Sequence, residues 1–221
     1  MSLQQDETAK LLALIRSDYS KHSLDEKTVA SNPIDQFMLW MKETIQSGQA
    51  EPNAMTLSTV TPEGKPASRI VLLRGVEEGK FVFFTNYNSN KGKQLAENPY
   101  GALNFFWYQW ERQVKIGGKT EKCSDEFSAG YFATRPRESQ LGAWASPQGE
   151  EIESRELLIK NYEFYAKKFD GKEIPRPPHW GGYFLTPEKI EFWQGRTGRM
   201  HDRILYTLQS DGNWKISRLA P

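Results

Sequence analysis

The stretch EFWQGRTGRMHDR, Glu191 to Arg203, sets Arg196, Arg199, His201 and Arg203 directly after an aromatic run. If its end is extended, alternation puts Arg199, His201 and Arg203 on one face and Met200 and Asp202 on the other. Like charges aligned on one face repel unless an anion lies among them, so this is either a solvated strand or one wall of an anion site. ASRIVLLR holds a second basic pair, with Arg69 on the face of Val71 and Leu73 and Arg74 on that of Ile70 and Leu72. A guanidinium among branched aliphatics is costly to bury unpaired, which asks for an acidic partner or a bound anion, although Arg74 at the strand end is free to snorkel. In YFATRPRESQLGAW, Tyr131, Arg135 and Ser139 recur every four residues. Pro136 argues against one continuous helix, so a helix running into a turn has to align them, and a phenol, a guanidinium and a hydroxyl together suit a phosphate.

Other chemistries lack their residues. The chain has three histidines, His22, His179 and His201, far apart and without an HExxH pair, so no metal site is expected. Cys123 is the single cysteine, which excludes an intramolecular disulfide and fits a buried thiol in a reducing cytosol. GxSxG, a P-loop and GxGxxG are all missing, leaving arginine and lysine side chains to hold any phosphate. Lys+Arg of 29 against Asp+Glu of 28 gives a net charge of +1, too balanced for a nucleic-acid partner, so any anion site must be local. The start of the chain has no secretory pattern and no run approaches a membrane span, so the expectation is a cytoplasmic protein without a membrane partner.

The elements that must position these groups are legible by period. Leu11, Leu12, Leu14 and Ile15 suggest a short amphipathic helix, and NPIDQFMLWMKETIQSG a longer one, with Pro33 in its first turn, Gly48 at its end, and Phe37, Met38 and Met41 on one side. AMTLSTV, ASRIVLLR, KFVFFTN, GALNFFWY and RQVKIGGK read as short strands with tight turns, an antiparallel meander that closes into a barrel. SNKGKQLAENP and SDEFSAGYFATRP supply short helices, and ESRELLIKNYEFYAKKF a long one whose stripe of Leu158, Tyr162, Tyr165 and Phe169 reads as core. After the stiff PRPPHW, the strands GGYFLT, EKIEFWQG and RILYTLQ follow, then a turn into WKISRLAP. The 221 residues form one core, mainly β with surrounding helices. Aromatic residues at 13% exceed what such a core needs, which points to a ligand or a second subunit.

In order, RIVLLR, FFTN, KGKQLAENP, ERQV, YFATRPRESQLGAW, WGGY, EFWQG, RMHDR and the terminal RLAP resemble the pyridoxine (pyridoxamine) 5′-phosphate oxidase family, flavin enzymes that make pyridoxal 5′-phosphate. The likeness runs from Arg69 to Pro221, with fainter echoes in EPNAMTLSTV and RSDY. It implies an FMN-binding split β-barrel homodimer with FMN at the subunit interface. Residues 1–30 would be a mobile segment able to cover the active site, and 31–221 the single oxidase domain. It further implies that pyridoxamine or pyridoxine 5′-phosphate is oxidised, with dioxygen as acceptor and hydrogen peroxide as product.

By the same resemblance, Arg69 and Lys91 hold the flavin phosphate, with Thr85 nearby. Ile70, Val71, Leu72, Phe84, Asn90, Gln113, Gln148, Trp193 and Arg203 complete the FMN site, partly from the second subunit. Arg74, Tyr131, Arg135 and Ser139 take the substrate phosphate, Arg199 and His201 bracket the substrate ring as the catalytic pair, and Arg16 and Tyr19 belong to the covering segment. The sequence departs from the family's habit at Arg74 (often lysine), Asn90 (arginine), Gly149 (serine) and Glu51 (aspartate), which bears on FMN affinity and substrate preference. Two other readings keep the same barrel: a non-catalytic flavin or pyridoxal phosphate binder, and a flavin reductase with another substrate.

Overall fold

The computed structural model describes residues 8, 10–12, 14 and 17–221. Residues 8, 10–12 and 14 are helical with Leu11, Leu12 and Leu14 exposed, while Ile15 and Arg16 lie outside the described residues. Helix α1 (Pro33–Gln46) starts at Asn32, whose side chain accepts the Ile34 N–H at 2.9 Å, and ends at Ser47 before Gly48 at φ 72°. Its buried face is Gln36, Phe37, Trp40, Met41 and Thr44. Met38, expected on that face, is 50% exposed, because one step of about 100° past Phe37 turns it outward while Trp40, three residues on, returns.

Among the described residues, nine antiparallel strands form one sheet: β1 (Ala54–Val60), β2 (Pro66–Leu72), β3 (Gly75–Glu77), β4 (Lys80–Asn86), β5 (Tyr100–Trp107), β6 (Arg112–Lys122), β7 (Trp180–Gln194), β8 (Asp202–Leu208) and β9 (Trp214–Leu219). The order is β2-β1-β5-β6-β7-β4-β3, with β8 and β9 continuing from the far half of β7. β2 and β3 are opposite ends of that path, yet only Leu73 and Arg74 separate them in the chain, and the Arg74 N–H donates to the Val82 carbonyl at 2.8 Å. So short a link forces the two edges together, which curls the sheet into a half-barrel around the aromatic core. Strand β3 escapes sequence reading because three residues are too few to show a period.

GGYFLT and EKIEFWQG, expected as two strands, are one strand of 15 residues, β7. Pro187 is tolerated inside it because the register with β6 slips there, with Gly117 facing Lys189 and Gly118 facing Pro187, so the missing N–H falls at a bulge. Gly118 is required at that point, since a Cβ would stand 2.0 Å from the Thr186 carbonyl oxygen. The bend lets the first half of β7 pair with β4 and the second half with β8.

Phe37 of α1 is fully buried, with ring centroids 5.0 Å from Phe81 and 5.2 Å from Phe105. Truncating it to alanine removes about 3–5 kcal/mol of stability. A second cluster of Phe132, Leu141, Phe169, Ile174 and Trp180 joins helices α3 (Asp125–Ala133), α4 (Arg137–Ala145) and α5 (Arg155–Lys168). Tyr162 and Tyr165 pack on it as the stripe predicts, while Leu158 is half-buried outside it. The turn expected after α3 is brief: Thr134 closes α3, and Pro136 already caps α4, which carries Ser139. Cys123 is buried. No helix among the described residues is long and apolar enough to cross a membrane.

Candidate active site

A cavity of about 400 Å³ opens where β2, β4, α3 and helix α2 (Asn90–Glu97) meet. Around it stand Arg69, Ile70, Val71, Leu72, Arg74, Phe84, Thr85, Lys91, Tyr131, Arg135 and Gln148, joined by Asn86 and Trp180. Ser139 and Arg135 line an adjoining cavity of about 290 Å³. Alternation along β2 turns Arg69 and Val71 inward and leaves Ile70 67% exposed.

Two cation pairs meet in this space. The Arg69 guanidinium donates through Nη1 to the Thr59 hydroxyl at 2.7 Å and the Leu57 carbonyl at 3.1 Å, and through Nη2 to Gln94 Oε1 at 3.3 Å. Lys91 Nζ donates to Gln148 Oε1 at 2.9 Å, and the same oxygen accepts from Thr85 Oγ1 at 3.3 Å. Burial, then the charge of Arg69, brings the Lys91 ammonium down to about 8. Arg135 lies over the Trp180 ring at 4.6 Å, and its Nη1 is buried with no partner. Burial lowers its pKa, and the Arg74 charge works in the same direction. Among the described residues, none of Arg69, Arg74, Lys91 and Arg135 has a carboxylate within ion-pairing distance. Four cations gathered without a carboxylate, one with a buried unpartnered donor, are a donor set that suits phosphate groups. One wall is flat: Phe84 stacks on Tyr131 at 3.9 Å and on Trp180 at 5.2 Å.

The remaining predicted residues form a second group. Gln113, Trp193 and Arg203 are direct partners across β6, β7 and β8, so they line up on one sheet face. Tyr19, Arg196, Arg199 and His201 line a cavity of about 560 Å³ beside that row. The extended geometry expected for Arg199 to Arg203 does not hold. Thr197–Arg199 is a 3₁₀ turn with Gly198 and Arg199 both at positive φ, 61° and 62°, and β8 begins at Asp202. Arg203 is compensated within the chain, its Nε 2.8 Å from Glu191, which holds its pKa up, and Arg196, though partly exposed, is paired with Asp202 at 2.9 Å. The Arg196 N–H donates to His201 Nδ1 at 3.1 Å, which leaves Nε2 as the proton-bearing nitrogen of the neutral ring. The ring is 4.7 Å from Trp193 and 6.0 Å from Tyr19.

Asn90 opens α2 beside Lys91 but does not line the cavity; a Cβ at Gly149, φ 88°, would sit 3.4 Å from its N, so these two departures adjoin. Glu51 is at φ 45°, and Arg16 lies outside the described residues. Sequence reasoning passed over Thr59 and Gln94, which hold Arg69, and Trp180, on which Arg135 rests, although Trp180 opens the WGGY motif.

Fold and site together define a half-barrel protein with a polycationic, carboxylate-free cavity against a flat aromatic wall. The chain belongs to the pyridoxamine 5′-phosphate oxidase family. The family model "Pyridoxamine 5'-phosphate oxidase" matches residues 41–165, and "Pyridoxine 5'-phosphate oxidase C-terminal dimerisation region" matches residues 180–221. Relatives named pyridoxine/pyridoxamine 5′-phosphate oxidase from Nostoc punctiforme and Cytophaga hutchinsonii are 53% and 51% identical, covering 96% and 95% of this chain and 99% and 98% of their own. Among solved structures, PhzG from Burkholderia lata 383, in complex with tetrahydrophenazine-1-carboxylic acid, superposes with a TM-score of 0.86 at 25% identity, over 93% of this chain and 100% of that one. A pyridoxamine 5′-phosphate oxidase-related FMN binding protein from Nostoc punctiforme shares the fold, with a TM-score of 0.69 at 18% identity over 87% of this chain and 100% of its own.

Proposed function

We propose that the chain is an FMN-dependent oxidase that converts pyridoxamine 5′-phosphate and pyridoxine 5′-phosphate to pyridoxal 5′-phosphate in the cytoplasm. The observation that carries this reading is the set of four uncompensated cations around one cavity. A phosphate monoester carries roughly −1.5 to −2 charges at neutral pH, so two of them balance two cation pairs. The donor set fits FMN: Arg69, Lys91 and Thr85 would hold its phosphate, the exposed edge of β2 and Phe84 its body, and Gln148, already bonded to Lys91, its near side. Arg74, Tyr131, Arg135 and Ser139 would take the substrate phosphate. When bound, FMN supplies the hydride acceptor for the substrate's oxidisable carbon and the route for the electrons to dioxygen, with hydrogen peroxide as product.

Gln113, Trp193, Arg203, Arg199 and His201 would close the site from a second copy of the chain. Support for a homodimer comes from the separation of the two residue groups, from exposed Ile70, Phe106 and Tyr108, and from the match to a dimerisation region. Arg203, fixed by Glu191 and the Ala220 carbonyl, is then a pre-oriented donor and not a free charge. His201 would present Nε2–H to the substrate, and Arg199 would stabilise negative charge that develops there. Residues 1–30 would cover the site, with Tyr19 seated on Trp193.

The purified protein should be yellow, and anaerobic pyridoxamine 5′-phosphate should bleach the flavin, with one hydrogen peroxide per product on admitting air. A protein that neither binds FMN nor forms peroxide would sink the reading. The PhzG likeness favours a second reading, an oxidase of an unphosphorylated carboxylate; equal turnover of substrates with and without phosphate would select it.

A further inference from the structure

Ser17, Asp18 and Tyr19 line the cavity that also holds Arg199 and His201. The Tyr19 ring meets Trp193 edge-on at 5.7 Å, and its Cβ packs so closely on Gly195 that a Cβ there would come within 2.7 Å. Ser17 and Asp18 are exposed, so the packing of Tyr19 needs support from its neighbours further along the chain. The hold comes from the next residues. The main-chain N–H groups of Ser20 and Lys21 both donate to one oxygen, Glu111 Oε2, at 2.9 and 3.1 Å. Successive N–H groups aimed at one point make a concave anion seat, and here the anion is a carboxylate of the same chain.

Glu111 is an unusual residue to find in that position. It is 6% exposed, sits at φ 53° in the left-handed region, and among the described residues has no cation within ion-pairing distance. A buried carboxylate without a counter-cation is costly unless N–H donors satisfy it, and Ser20 and Lys21 supply two. Its own carbonyl accepts from Gly195 N–H at 2.8 Å and from the Gln194 side chain at 3.2 Å. One residue therefore ties the segment next to Tyr19 to Gln194, the last residue of β7, and to Gly195 just beyond it. Further along, Lys21 Nζ donates to the Gln109 carbonyl at 2.7 Å, His22 lies 5.1 Å from the Trp110 ring, and the Leu24 N–H donates at 3.1 Å to Asp202, a carboxylate shared with Arg196 and Arg218, whereas the Glu111 carboxylate takes the two main-chain N–H groups next to Tyr19.

We propose that Glu111 is a positioning residue for catalysis: it latches residues 17–21 so that Tyr19 forms a wall of the Arg199–His201 cavity. Its effect on substrate rests on the function proposed above, whereas the latch itself is read without turnover. In Glu111→Ala holoenzyme, amide hydrogen exchange at Ser20 and Lys21 should speed up by roughly tenfold or more, the factor carried by one lost charge-assisted bond. The KM for pyridoxamine 5′-phosphate should rise by a similar factor, with kcat and FMN stoichiometry changed much less. Glu111→Gln, which keeps an acceptor oxygen but not the charge, should fall between, and it serves as the test if the alanine variant does not fold. Unchanged exchange at Ser20 and Lys21 would overturn the latch; faster exchange with an unchanged KM would overturn its role in positioning. A chain without activity on this substrate would still report the latch by exchange, so the two failures are distinct.

Discussion

Lys91→Met should stabilise the flavin-free protein while weakening its hold on flavin. The lysine is depressed from its ordinary 10.5 to about 8, first by burial and then by Arg69, so at pH 7 the folded protein keeps it charged at a cost. At 1.36 kcal/mol per pH unit this amounts to roughly 3 kcal/mol, and solvent reaching the half-buried ammonium cuts it to about 1–2 kcal/mol. For a chain of this size that is about 2–8 °C in Tm, gained by the variant at pH 7. The sign with pH follows from proton counts. Between pH 8 and 10.5 the unfolded chain binds more protons at this site than the folded one, so the stability of wild-type apoprotein rises across that window and the gap to the variant closes. Loss of a charge-assisted bond to phosphate should at the same time weaken FMN binding by about 10- to 100-fold. Thermal melts of flavin-stripped protein from pH 6.5 to 10, with a fluorescence titration of FMN, measure both effects. An apoprotein made less stable at pH 7, with unchanged FMN affinity, would refute the view that an anion compensates these cations.

Arg199→Ala should slow turnover much more than it lowers FMN affinity, whereas Arg69→Ala should chiefly lose flavin; steady-state kinetics beside FMN titration will show the reverse if the two groups are assigned the wrong way round. Arg135→Met should raise KM for the phosphorylated substrate by about 10- to 100-fold with little loss of apoprotein stability, since Nη1 has no partner to lose. Gly118→Ala should cost more than about 3 kcal/mol in urea unfolding, because its Cβ meets the backbone of β7 rather than a yielding side chain. Burial pushes the Cys123 thiol up to about 12, so Ellman's reagent at pH 8 should leave it unmodified until the protein is unfolded.

Periodicity alone placed most elements of this chain. Asn32, Pro33 and Gly48 mark both ends of α1, and the short β-rich runs mark the strands. These signals survive because capping and alternation depend on neighbours in the chain. Where a longer-range contact decides, the sequence misleads. Pro187 looks like the end of a strand but sits in the middle of β7, because the bulge at Gly117 and Gly118, some seventy residues earlier, absorbs it.

The sequence by itself limited any phosphate site to arginine and lysine side chains and singled out the candidates. Only the tertiary structure decided which charges are free. Arg203 and Arg196 look as available as Arg69 in the sequence, yet Glu191 and Asp202 answer them, while Arg69, Lys91, Arg74 and Arg135 converge with no carboxylate among them. Charge compensation acts through space over a few ångströms, and no local pattern records which strand will lie next to which.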